Sequence, residues 1–185
     1  MPGVTPPRSE DDRKALLGIY LNDHLAGATG GARLAKRAAG GAAGSPIGEE
    51  LSRLANEIDD DRASLVGVMR TLGVPVRHYK AYAGAAGELV GRLKPNGRLL
   101  ERSPLSSLIE LDALRVGVAG KAAAWGTLRV LAETDDRLDA ATLDGLLDRA
   151  SRQAERIDAL RAEVAATALS DGTGHGDDSP VRVMT

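Results

Sequence analysis

The chain has no cysteine and no phenylalanine, and only 2% of its 185 residues are aromatic. Without cysteine there is no disulfide framework, no thiolate metal site and no cysteine nucleophile. Scarce aromatic residues argue against a β-sandwich, whose strands favour aromatic and β-branched side chains. No apolar run approaches membrane-spanning length. The opening residues, MPGVTPPRSE, are Pro-rich and carry no apolar stretch, which is not the pattern of a secretory signal. Neither sign of charge dominates: 24 Lys and Arg stand against 26 Asp and Glu, a net charge of −2, so composition offers no nucleic-acid-binding surface. These absences set the expectation of a soluble, cytoplasmic protein with neither nucleic acid nor membrane among its partners.

What is present points to helices. Apolar residues make up 43% of the chain, chiefly Ala, Leu and Val, and an Ala- and Leu-rich core favours close-packed helices. The length suits one domain with a substantial core. Residues 1–8 read as a disordered arm. Ser9 then serves as an N-cap with Asp12 three residues on as a shortened capping box. A helical stripe follows through Leu17, Tyr20, Leu21, His24 and Ala28, and the pattern runs to about Ala39. Its second half is made of small residues, including Gly27, Gly30 and Gly31. Such glycines allow close helix contact, a fraying end, or room for a ligand.

Ser45-Pro46 opens a second helix, with the stripe Leu51, Leu54, Ile58, Asp61, Leu65, Val68 and Leu72, ended by Gly73 and Pro75. A connection of roughly thirty residues is expected to carry a short helix around Lys80–Leu93, followed by a turn at 94–98. Ser103-Pro104 opens a third long helix with Leu108, Leu111, Leu114, Val118, Lys121, Trp125 and Leu128 facing inward. Asp139 caps a fourth, whose stripe is Leu143, Leu146, Ala150, Gln153, Ile157, Leu160 and Val164. From 170 onward the chain is polar and Gly-rich, the composition of a disordered tail.

Two helical hairpins joined by one long connection resemble the ferritin-like superfamily of four-helix bundles, over about Asp11 to Leu169. The resemblance implies an all-α bundle with a single crossover. In the di-metal members it also implies a site of two Glu-x-x-His pairs and two single glutamates. This sequence has no Glu-x-x-His pair anywhere. The nearest substitutes are Glu57-x-x-Asp60 on the second helix and Glu155-x-x-Asp158 on the fourth. Glu110 on the third is a possible single Glu, and Asp23 and His24 are the nearest residues on the first. The same spacings suit a solvated helix face, and Asp reaches less far than Glu, which would open the metal cage.

One polar residue interrupts each apolar stripe: His24, Asp61, Lys121 and Gln153. Counting from the turns places all four near mid-helix. A crossover bundle and an up-down-up-down bundle give nearly the same layer, so the coincidence does not choose a topology. A buried charge is costly unless paired, so Lys121 and Asp61 are expected to neutralise each other, with His24 and Gln153 meeting the remaining donors and acceptors. The competing expectation is that Lys121 snorkels outward and Asp61 meets solvent.

Other residues carry less. His78, beside Tyr79 and Tyr82, reads as loop packing, and His175 stands in the tail without a scaffold. GELVGRL at 87–93 lacks the ending of a phosphate loop. Trp125 is the one large core anchor, and its indole N–H needs a partner. The leading expectation is a non-enzymatic module, structural or binding an unknown protein partner or itself, with no cofactor. One alternative is a carboxylate metal protein holding iron or manganese through Glu57, Asp60, Glu110, Glu155 and Asp158. The other is a small-molecule binder using the space beside Gly27–Gly31 and Trp125.

Overall fold

The computed structural model describes residues 9–77 and 104–169. They form four helices: α1 (Glu10–Gly41), α2 (Pro46–Thr71), α3 (Pro104–Leu131) and α4 (Ala140–Leu169). No strand occurs among the described residues. The expected short helix at 80–93, the turn at 94–98, both expected disordered ends, His78 and His175 lie outside them.

Local chemistry sets the helix ends. Ser9 accepts from the Asp12 amide at 3.1 Å while the Asp12 carboxylate accepts from the Ser9 amide at 3.3 Å, a complete capping box. Ser45 caps α2 by accepting from the Gly48 amide, with Pro46 at the first helical position. At the far end, Gly73 takes φ +66°. That left-handed turn lets the Gly73 and Val74 amides donate back to the Arg70 and Met69 carbonyls at 3.1 and 2.8 Å. Asp139 accepts from the Ala141 and Thr142 amides and starts α4.

Side-chain pairings give the helix directions. Lys36 meets Asp59 across α1 and α2, and Asn22 of α1 donates to the Pro75 carbonyl just past the end of α2. Arg115 meets Asp158, and Arg129 meets Asp144, across α3 and α4. Tyr20 donates to Thr127, and Arg37 pairs with Glu110, across α1 and α3. Arg149 pairs with Asp61, and Arg156 with Glu50, across α4 and α2. Within each pair of helices one residue number rises as the other falls, so all four neighbouring pairs are antiparallel. It follows that α2 and α3 run parallel on one diagonal, and α1 and α4 on the other. The chain leaves the bundle after residue 77 at the opposite end from where it re-enters at 104. This is an all-α bundle with one long connection.

The core divides along the bundle. One half packs the alanines of α1 (Ala32, Ala35, Ala38, Ala39) against Leu51, Leu54, Ile58, Leu111, Leu114, Ile157 and Leu160. Small residues there let α1 lie close to α2. The other half gathers Leu21, Leu25, Leu65, Met69, Leu128 and Leu143 around Trp125. Each fully buried aliphatic side chain contributes about 1.5–3 kcal/mol through removal from water.

The buried face of α4 is the predicted stripe residue for residue. On α1 the stripe is displaced. Leu17, Tyr20, His24 and Ala28 are half-buried, while Leu25 and Asn22 go fully inside. Asn22 is buried because it has work at the end of α2. Its amide group donates to the Gly18 and Pro75 carbonyls, and its oxygen accepts from the Arg77 amide at 2.7 Å. On α2, Met69 takes the inner place predicted for Val68.

Candidate functional site

Asp61 is 2% exposed, although it stands in the acidic run Glu57 to Asp61. Helical periodicity explains this: Asp61 follows Leu54 and Ile58 on the inner face of α2, while Asp60 points outward. A buried carboxylate must be compensated, and this one is. Lys121 of α3 donates to Oδ2, and Gln153 Nε2 of α4 donates to the same oxygen at 3.1 Å. Arg149 of α4 donates to Oδ1 through Nε at 2.6 Å.

The network continues along the α2–α4 seam. Lys121 also donates to Gln153 Oε1, and the Gln153 amide donates to Glu57 at 3.1 Å. Arg156 bridges Glu57 at 2.6 Å and Glu50 at 2.5 Å. Long arginine side chains from α4 therefore reach across to the carboxylates of α2 at Asp61, Glu57 and Glu50. Burial pushes the Lys121 ammonium below its ordinary range, and the nearby Asp61 charge only partly opposes that.

Of the four residues that interrupt the stripes, the structure joins Asp61, Lys121 and Gln153 in one hydrogen-bonded cluster. It does not join His24 to them. The His24 ring stands edge-on to Tyr20, centroids 4.5 Å apart, and its pKa is lowered by burial, with Asp23 opposing. The expectation that His24 would satisfy the Lys121–Asp61 pair is thus corrected: Arg149 takes that place. Its side chain reaches inward from a half-exposed position, so a stripe of buried residues gives no sign of it. The expectation of a snorkelling Lys121 and a solvated Asp61 is also corrected, since the Lys121 side chain is only 12% exposed.

Beside this cluster lies a cavity of about 200 Å³. Its lining includes Gly27 and Gly31 of α1 and Gly117 and Gly120 of α3. A Cβ added at any of the four would meet nothing within 4 Å. These glycines therefore do not serve close helix contact, and α1 runs unbroken past them to Gly41. They leave open space. Ile58, Asp61 and Leu65 of α2 and Leu114, Val118, Lys121 and Trp125 of α3 line it, so the wall is mostly apolar with Asp61 and Lys121 as its polar part; His24 also lines it. Trp125 is 1% exposed, and its indole N–H has no hydrogen-bond partner among the described residues.

The carboxylates of the metal alternative are dispersed. Glu57 is held by Arg156 and Gln153, and Asp158 by Arg115 and Arg161. Glu110 is buried against Arg37, while Asp60 and Glu155 are exposed. Among the described residues no group of three or more His, Asp or Glu side chains is placed to hold a metal ion. Nor is any described helix long and apolar enough to cross a membrane.

No known protein family, curated protein or solved structure matches the chain. The functional reading therefore rests on the geometry alone.

Proposed function

We propose that this is a ferritin-like bundle that binds a small, mostly apolar molecule in its interior, acting as a binding protein rather than as a di-metal enzyme. The parallel placement of α2 and α3, with one long return between them, supports the ferritin-like reading. The observation that carries the ligand reading is the cavity: about 200 Å³, walled mostly by apolar side chains, with a buried indole N–H that has no partner among the described residues. An apolar cavity of about 150 Å³ takes up benzene, so this one has room for a single ring or a branched chain of similar bulk. Four glycines in helix interiors each cost about 1 kcal/mol relative to alanine. Here they leave the space between α1 and α3 unfilled, which gives that cost a use.

The test is stabilisation by a neutral apolar probe. α-Methylstyrene at a hundred times its Kd should raise unfolding free energy by about 2.7 kcal/mol through binding to the native state alone. Gly31→Leu, which places a side chain in the empty space, should abolish the effect while leaving the protein folded. Absence of any stabilisation in the wild type would overturn the reading.

A further inference from the structure

The cavity wall has a polarity of its own. Trp125 and Lys121 are four residues apart on α3, so they are neighbours on one helix face. Both line the cavity. The Trp125 indole is a donor only, and it has no partner among the described residues. The Lys121 ammonium has three N–H groups. Asp61 and Gln153 take two of them. The buried carboxylate that faces this space is already engaged: Asp61 receives Lys121, Gln153 and Arg149, while Asp23 is exposed to solvent. The Trp125 N–H and one Lys121 N–H are thus left over beside a largely apolar space.

Charge narrows the class further. The charges at the cavity balance: Asp23 and Asp61 stand against the Lys121 ammonium and the Arg149 guanidinium, which pairs with Asp61 from behind. A ligand anion there would find no net positive charge to offset its loss of hydration. A neutral acceptor gives up far less hydration.

Resting on the reading of the cavity as a ligand site, we infer that its ligand is a compact neutral molecule with an apolar body and one acceptor oxygen of carbonyl type, received by the Trp125 N–H and the remaining N–H of Lys121. A buried donor left unmade is costly, so a ligand that supplies the acceptor gains over an isostere that does not.

The chain contains a single tryptophan, so one indole N–H resonance reports on the site directly. The experiment compares acetophenone with α-methylstyrene, in which a CH₂ group replaces the carbonyl oxygen at nearly the same shape, and with benzoate as the anionic arm. Acetophenone is expected to bind at least about tenfold more tightly than α-methylstyrene, a gap of about 1.4 kcal/mol, and to shift the indole N–H resonance downfield. Trp125→Phe reshapes the wall and changes both affinities, so the readout is their ratio within the variant, which should fall to about threefold or less. Equal affinity for the ketone and the alkene in the wild type would overturn the acceptor assignment and leave the cavity reading standing. Tighter binding of benzoate than of acetophenone would overturn the neutral class. Failure of all three to bind would overturn the cavity reading itself.

Discussion

Lys121 and Asp61 join two helices whose backbones nowhere approach within 8 Å. Among the described residues, α2 and α3 lie on a diagonal of the bundle and share no Cα pair inside that distance, yet the Lys121 ammonium donates to the Asp61 carboxylate across the interior. The pair is therefore a strut through the centre of the bundle, with Arg149 and Gln153 bracing it from α4.

The strut is asymmetric, and mutation should reveal it. Asp61→Leu strands both the Lys121 ammonium and Arg149, and should cost about 3–5 kcal/mol, the range for breaking a buried pair. Lys121→Met leaves Asp61 with Arg149 and Gln153, so its cost should be smaller, about 1–3 kcal/mol. The double variant should be more stable than the sum of the single losses by at least about 1 kcal/mol. Denaturant melts of the four proteins measure this. Additive losses under about 1 kcal/mol each are the behaviour of an exposed pair and would contradict the burial.

The glycines should divide into two kinds. Gly27→Ala and Gly31→Ala put a methyl group into empty space on a helix, so each should stabilise by about 0.5–1 kcal/mol. Gly48→Ala would put Cβ only 2.0 Å from the Ala42 carbonyl oxygen, a backbone atom. It should cost about 1–3 kcal/mol or force the α1–α2 turn to move. Thermal melts of the three variants decide it. A stabilising Gly48→Ala would show that the turn is not held as described.

The sequence makes the helices legible because caps and periodicity agree. Ser9 with Asp12, Ser45 with Pro46, and Gly73 each mark an end, and the inner stripe of α4 follows directly from its spacing. The α1 stripe is less legible. Its small residues make every face weakly apolar, so periodicity cannot separate Tyr20 and His24 from Leu25 and Asn22. Asn22 is buried to hold the chain leaving α2, a long-range contact with no local signature. At the candidate site, Asp61, Lys121 and Gln153 stand out because each breaks an apolar stripe. Arg149 and Arg156 do not, since they start near the surface and reach in. The cavity is a matter of volume: glycine spacing shows where side chains are missing, not whether a neighbour fills the gap.

Metal content tests the separation of this chain from di-metal bundles. Glu57 and Asp158 are engaged with arginines, and Asp60 and Glu155 face outward, so a two-metal cage would require those pairings to break. Protein purified from iron-supplemented cells should hold less than one equivalent of iron or manganese by elemental analysis, and should show no ferroxidase activity. Two tightly held ions per chain, lost on Glu57→Ala or Glu155→Ala, would reverse the assignment.

His24 should make stability fall on acidification in a definite window. Burial lowers its folded pKa below the ordinary 6.5, and Asp23 only partly offsets this. Between 6.5 and the lower folded value, the unfolded chain takes up a proton that the folded chain resists. The unfolded state then binds more protons, so stability rises with pH through this window and is lost as pH falls through it. His24→Gln removes the group from both states. The drop in Tm between pH 7.5 and pH 5 should therefore be smaller in the variant than in the wild type. Groups that do not interact with His24 cancel in the comparison, which leaves the imidazole and its Asp23 neighbour. Because His24 lines the cavity, saturation with α-methylstyrene should widen the difference, since a ligand that excludes water from that wall makes the imidazolium harder to form. An identical drop in both proteins, with and without the probe, would mean that the imidazole charges freely in the folded state and is not part of the cavity wall.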